Sequence, residues 1–185
     1  SDQFGYSVSI SGNYAIVGAN FEATGADYAG AAYLFERNVN GSWSQKQKIQ
    51  ASDKERHDQF GISVSISGNY AIVGAHREDT GGSNRGSAYM FERNVDGSWN
   101  QVDKIQASDG QGEDQFGQSV SISENYAIVG ASYEDTGGDW AGSAYLFEKN
   151  VDGSWNEVQQ IQASDRQASD QFGYSVSISG NYAIV

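Results

Sequence analysis

The chain has 185 residues, with 11 Lys+Arg against 24 Asp+Glu and a formal net charge of −13. Such a balance repels nucleic-acid backbones and anionic bilayers, and no apolar run reaches the ~18 residues that a membrane-spanning helix needs. The absence of Cys excludes a disulfide framework and thiolate zinc sites, while 12% aromatic residues are too many for a disordered acidic tail.

The tetrapeptide Asp-Gln-Phe-Gly begins at Asp2, Asp58, Asp114 and Asp170. Its constant spacing divides residues 1–185 into repeats 2–57, 58–113 and 114–169 and a partial repeat 170–185. Residues 1–17 recur unchanged as 169–185. A fixed period of this size signals a solenoid, a propeller or an array. The chain starts inside the pattern, and no signal peptide is expected in this segment.

Within one repeat the elements follow in order. Ser63-Val64-Ser65-Ile66-Ser67 alternates polar and apolar, which predicts a strand. Gly68-Asn69 predicts a tight turn. Tyr70 to Ala75 is a mostly apolar run, expected for a strand covered on both faces. His76 to Gly86 is a polar, Gly-rich loop. Ser87 to Glu92 predicts a third strand with Tyr89 and Phe91 on one face. Asn94 to Ser98 reads as a hairpin turn in which Gly97 takes a positive φ. Trp99 to Ala107 predicts a fourth strand, and its Gln101 and Lys104 suit an exposed sheet edge. Ser108 to Gly117 leads into the next repeat. No stretch carries a helical apolar stripe. Four consecutive antiparallel strands per repeat describe a propeller blade, so the expected fold is all-β: three four-stranded blades and one hairpin, an incomplete ring. Trp43, Trp99 and Trp155 begin the fourth strands and are expected to pack blade against blade.

Phe60-Gly61-x-Ser63-Val64, then Val73-Gly74-Ala75, then Gly86-Ser87-Ala88-Tyr89-x-Phe91, resembles the FG-GAP repeat of integrin α-chains and bacterial extracellular proteins. Phe4-Gly5, Val17-Gly18-Ala19 and Tyr33-x-Phe35 match it too, as do Phe116-Gly117, Val129-Gly130-Ala131 and Tyr145-x-Phe147. The resemblance implies a β-propeller, an extracellular or cell-surface location, and a role in recognition or adhesion. Two features depart from the family pattern. Asn20, His76 and Ser132 stand where the proline of Gly-Ala-Pro is expected, and the first turns lack the acidic calcium loop. A calcium ion takes six to eight oxygens, so no cofactor is expected. Weak calcium binding by the acidic Glu78-Asp79 and Glu134-Asp135 loops is the less favoured reading. Asp79 and Asp135 are instead expected to cap their own loops through the following Thr and Gly. The Asp of Asp-Gln-Phe-Gly is expected to lock the loop between blades.

The 2–3 loops (20–30, 76–86, 132–142) and the 4–1 loops (53–58, 109–114, 165–170) share one rim and carry most of the variation between repeats. Variable loops on a constant scaffold are where binding resides. Phe21, Tyr28, Arg77, Arg85, Tyr133, Asp139 and Trp140 are the candidate ligand-binding residues, because aromatic and cationic side chains anchor contacts. The expected partner is a protein or glycan. An alternative reading is a structural repeat protein that assembles into a layer, filament or matrix. No catalysis is expected: His57 and His76 are the only histidines, neither recurs, and there is no phosphate-cradling Gly loop. The 185-residue arc is expected to self-associate through its open blade faces.

Overall fold

The computed structural model describes residues 2–185, and among these every regular element is a β-strand. Blade 1 holds β1 (Val8–Ser11), β2 (Tyr14–Ala19), β3 (Ala31–Arg37) and β4 (Trp43–Ile49). Blade 2 holds β5 (Ser63–Ser67), β6 (Tyr70–Ala75), β7 (Ser87–Arg93) and β8 (Trp99–Ile105). Blade 3 holds β9 (Ser119–Ser123), β10 (Tyr126–Ala131), β11 (Ser143–Lys149) and β12 (Trp155–Ile161). β13 (Ser177–Ser179) and β14 (Tyr182–Ile184) form the closing hairpin. Each sheet is antiparallel in sequence order, so the chain is an incomplete β-propeller. One feature lay outside the sequence expectation: the register slips between the third and fourth strands, at Leu34/Phe35, Met90/Phe91 and Leu146/Phe147. This bulge re-aims the edge strand, and the fourth strands end sooner than the sequence predicts.

The two faces of a blade serve different neighbours. In blade 2, Phe60, Val64, Val73, Tyr89, Phe91 and Trp99 meet Ile16, Ala32, Leu34 and Ile49 of blade 1. The opposite face of blade 2, with Ile72, Ala88, Met90 and Ile105, meets Phe116, Tyr145 and Trp155 of blade 3. Phe60 stands edge-on to Tyr89 and Phe91, with ring centroids 5.5 and 6.0 Å away. Trp99 reaches Tyr14 of the preceding blade, and Trp155 reaches Tyr70 in the same way. The tryptophans therefore pack blade against blade as the repeat pattern predicts. The aligned face of blade 1 is bare: Phe4, Val8, Ile10 and Trp43 are exposed.

Polar contacts reinforce each junction. The innermost strands are linked by serines of the S-V-S-I-S segment: Ser65 Oγ accepts from Ile122 N at 3.1 Å and Ser67 Oγ from Glu124 N at 3.2 Å. The same pair recurs from Ser9 and Ser11 to Ile66 and Gly68, and from Ser121 and Ser123 to Ile178 and Gly180. At the outer edge, the Gln47 amide donates to Trp99 O at 2.8 Å and accepts from Trp99 N at 2.9 Å. A side-chain amide thus takes the place of a fifth strand.

The recurring glycines set the spacing. Gly74 on β6 lies directly under the Gly117 carbonyl of blade 3, which also accepts from Ser63 Oγ at 2.7 Å. A Cβ at Gly74 would drive into that carbonyl and into the Ser63 hydroxyl. Gly68, in contrast, sits in an open turn at φ +57. Gly74→Ala is expected to cost about 3 kcal/mol or more through overpacking of backbone on backbone, and Gly68→Ala about 1 kcal/mol through its positive φ alone. Urea denaturation of the two variants checks the order, and equal losses would show that the junction yields.

Candidate functional site

The 2–3 loops are organised around a buried glutamate. Glu78 Oε1 accepts from Thr80 N at 2.9 Å and also from the Thr80 hydroxyl. Its carboxylate further accepts from Ser87 Oγ at 2.6 Å, Lys104 Nζ at 3.0 Å and Gln106 Nε2 at 3.3 Å. Burial pushes this carboxyl up, but the donors from Ser87, Thr80 and Lys104 outweigh it and hold it below the usual range. Glu22 and Glu134 sit at the matching positions with Thr24 and Thr136. This differs from the sequence expectation for the aspartates. The glutamate takes the Thr amide, while Asp79 Oδ1 accepts from Asn84 N at 2.7 Å and Asp135 Oδ1 from Trp140 N at 2.8 Å. The longer side chain reaches inward, and the shorter one closes the loop five residues on.

Those loop closures hold Tyr28, Asn84 and Trp140 at φ 55, 47 and 57, in the left-handed region. Their carbonyls accept from Gln59, Gln115 and Gln171 N of the following repeat at 3.1, 3.1 and 3.0 Å. The backbone is fixed from both sides, so the side chain there is free to vary. Tyr28 and Trp140 are about half exposed. Each meets a second aromatic ring: Tyr28 with Phe21 at 5.3 Å, and Trp140 with Tyr133 at 5.5 Å. Tyr28 also stacks on His57 at 5.3 Å.

The structure brings some of the sequence candidates together. Phe21, Arg77 and Tyr133 occupy equivalent positions in three blades and line one groove of about 480 Å³ near the propeller axis. Tyr28 borders a neighbouring hollow with Phe21, His57 and Arg77. Trp140 flanks the groove through Tyr133 without lining it. Arg85 is turned into the fold: it is half-buried, and its Nη2 donates to Ala107 O at 2.9 Å, tying its loop to the next. Asp139 is exposed, and its backbone carbonyl accepts from Ser169 N at 2.8 Å.

Further groove residues had no place in the sequence reading. Asn20 and His76 are buried and line the groove, yet Asn20 Oδ1 and His76 Nδ1 have no hydrogen-bond partner. The half-buried Gln118 adds an unpartnered Oε1. A buried polar atom left without a partner costs about 1–3 kcal/mol, and a ligand that supplies one recovers that cost. Burial, and then the nearby Arg77 charge, lowers the His76 pKa to about 4, so the ring is neutral at pH 7. The one sequence signal was that Asn20, His76 and Ser132 replace the family proline.

The 4–1 loops carry the repeated aspartate. Asp58 Oδ2 accepts from Glu55 N at 2.5 Å, Asp114 from Gln111 N at 2.6 Å and Asp170 from Gln167 N at 2.6 Å. These bonds lock the loops as the repeat pattern predicts. Asp58 and Asp114 are buried, and burial is the main reason that their pKa values rise to about 6, with the surrounding carboxylates adding to it.

Two outcomes follow from these carboxylates. An unfolded aspartate titrates near 3.8 and folded Asp58 and Asp114 near 6. The native state therefore keeps protons that the unfolded chain loses over this interval. Their contribution is fully present below about pH 4 and is lost as pH rises through 6. Glu22, Asp53 and Glu78 are lowered instead, so their contribution is lost as pH falls through their depressed values, below the ordinary 4.5 or 3.8. Thermal midpoints are expected to rise from pH 7.5 to about 5 and to drop below about 4. Asp58→Asn with Asp114→Asn should flatten the upper limb, and an unchanged limb would exclude these two groups as its cause. The second outcome concerns calcium. The Glu22, Glu78 and Glu134 oxygens are taken by protein donors, and the described residues hold no group of three or more His, Cys, Asp or Glu placed for a metal. EDTA is expected to leave the midpoint unchanged, and a calcium-dependent rise of many degrees would contradict this.

Comparison with known proteins agrees with this architecture. The FG-GAP repeat model matches residues 1–35, 43–91, 99–147 and 155–185. No curated protein matches the chain, whereas 71 chains of solved structures do. One is a crystal structure of a protein from Lactobacillus plantarum, 16% identical with a TM-score of 0.54, a likeness of fold alone. It covers 87% of this chain but 42% of that one, so the present chain spans less than half of its length. With family matches in all three blades and in the closing hairpin, the chain belongs to the FG-GAP repeat family.

Proposed function

We propose that the chain is a non-enzymatic recognition module, extracellular or on a cell surface, which binds a protein or glycan through the rim built by the 2–3 and 4–1 loops. The observation that carries this reading is the contrast between skeleton and side chains. Glu22, Glu78 and Glu134 and the locked aspartates keep the rim backbone constant, while Phe21, Arg77 and Tyr133 present different chemistry from equivalent places. Enzyme chemistry has little support here, since the buried His76 is neutral, its Nδ1 meets no acid, and it has no counterpart in the other repeats. Among the described residues no helix is long and apolar enough to cross a membrane.

A second reading, assembly into a larger array, draws on the bare face of blade 1. Phe4, Val8 and Ile10 are exposed where their equivalents Phe60, Val64 and Ile66 are buried. A glycan and peptide array separates the two. Binding that disappears with Tyr133→Ala and Trp140→Ala supports the recognition module. Silence on the array, with light scattering far above the 19.9 kDa monomer, supports assembly.

A further inference from the structure

We infer that the axial groove binds an uncharged oligosaccharide, which offers hydroxyls to Asn20, His76 and Gln118 and ring faces to Phe21 and Tyr133. The inference rests on the recognition reading above and names its ligand.

The groove's unpartnered atoms decide the class. Asn20 Oδ1, His76 Nδ1 and Gln118 Oε1 are all acceptors, so they call for a ligand that donates. A carboxylate or phosphate donates nothing to them, and the net charge of −13 repels it at longer range. A cation could donate, but no carboxylate lines the groove and Arg77 does. Ligand hydroxyls meet both demands, because each donates to the three acceptors and accepts from the Arg77 fork. Gln3, Gln59 and Gln115, one per repeat, add amides that both donate and accept. Phe21 and Tyr133 are half-buried and supply apolar ring surface for the C–H faces of a sugar. The volume of about 480 Å³ lies within the roughly 300–1,000 Å³ typical of small-ligand sites.

Neutral His76 agrees with this assignment. Its pKa of about 4 leaves the ring uncharged at pH 7, with Arg77 the one cation that lines the groove. Asn20 and His76 also occupy the position where the family has proline, which has no side-chain polar group.

The test is calorimetric titration of the 185-residue chain with uncharged tetrasaccharides of glucose, mannose and galactose, with tetragalacturonic acid as the anionic counterpart. At least one uncharged oligomer is expected to saturate a single site below about 10 mM and to exceed tetragalacturonic acid in affinity. Phe21→Ala and Gln118→Ala, both at half-buried positions, should weaken it at least about tenfold with the thermal midpoint unchanged. Asn20→Ala and His76→Ala should do the same where they fold. Absence of binding by all three uncharged oligomers, a preference for the uronate, or binding that survives both half-buried substitutions would overturn the assignment. Trp140 lies outside the groove. A peptide or protein captured on an array and lost with Trp140→Ala would uphold rim recognition while overturning the oligosaccharide.

Discussion

Everything in the arc depends on how closely one blade's backbone approaches the next. At each junction a glycine of the second strand lies under the glycine carbonyl of the following repeat: Gly18 under Gly61, Gly74 under Gly117, Gly130 under Gly173. The same carbonyls accept from Ser7, Ser63 and Ser119. Beside them, Gly30, Gly86 and Gly142 bridge to Phe60, Phe116 and Phe172. Any side chain at these glycines would push the blades apart and lift the phenylalanine out of its aromatic cage. Phe and Gly are therefore paired for one reason. The glycine sets the separation, and the phenylalanine fills the space that this separation leaves.

The junction also explains the polar character of the inner strands. A propeller crowds its innermost strands, and a bulky residue in every position would not fit. Alternating Ser with Val and Ile lets one face pack while the other donates or accepts across the gap. The serines satisfy backbone N–H groups that a free inner edge would otherwise leave to solvent. The outer edge solves the same problem with amides and carboxylates, such as Gln47 on Trp99 and Asp103 on Trp155. Neighbouring blades are thus joined at both edges and across the apolar middle, which holds the loop rim on a rigid base.

Much of this was legible because each repeat states its pattern three times. Period-2 alternation, apolar runs and fixed turn signals placed β5, β6 and β7 within a residue or so. The bulge at Met90/Phe91 left no sequence mark, since it depends on how the edge strand meets the next blade. The capping roles of Glu78 and Asp79 were misassigned for a related reason. Adjacent carboxylates are equivalent by composition, and only the path of the loop decides which turns inward. The rim was recognisable from its variation, yet Asn20, His76 and Gln118 were not. Their interest lies in a missing partner, which a sequence does not display.

The middle blade shows how such a rim diversifies without losing its shape. In blades 1 and 3 the paired positions hold aromatic couples, Phe21 with Tyr28 and Tyr133 with Trp140. In blade 2 they hold Arg77 and Asn84, yet the loop has the same turn, the same glutamate core and the same left-handed residue. Substitution is tolerated because the contacts that fix the backbone run through Glu78, Asp79 and the following repeat, none of which involves the variable side chains. Below the rim the repeats differ too. Lys104 joins Asp53 and Glu78, whereas Gln160 in blade 3 bonds the Tyr145 hydroxyl, which itself donates to Asp109. A charged link and a neutral one thus hold the same geometry. A duplicated blade can therefore change what it presents to a ligand while its fold-determining contacts stay where they are.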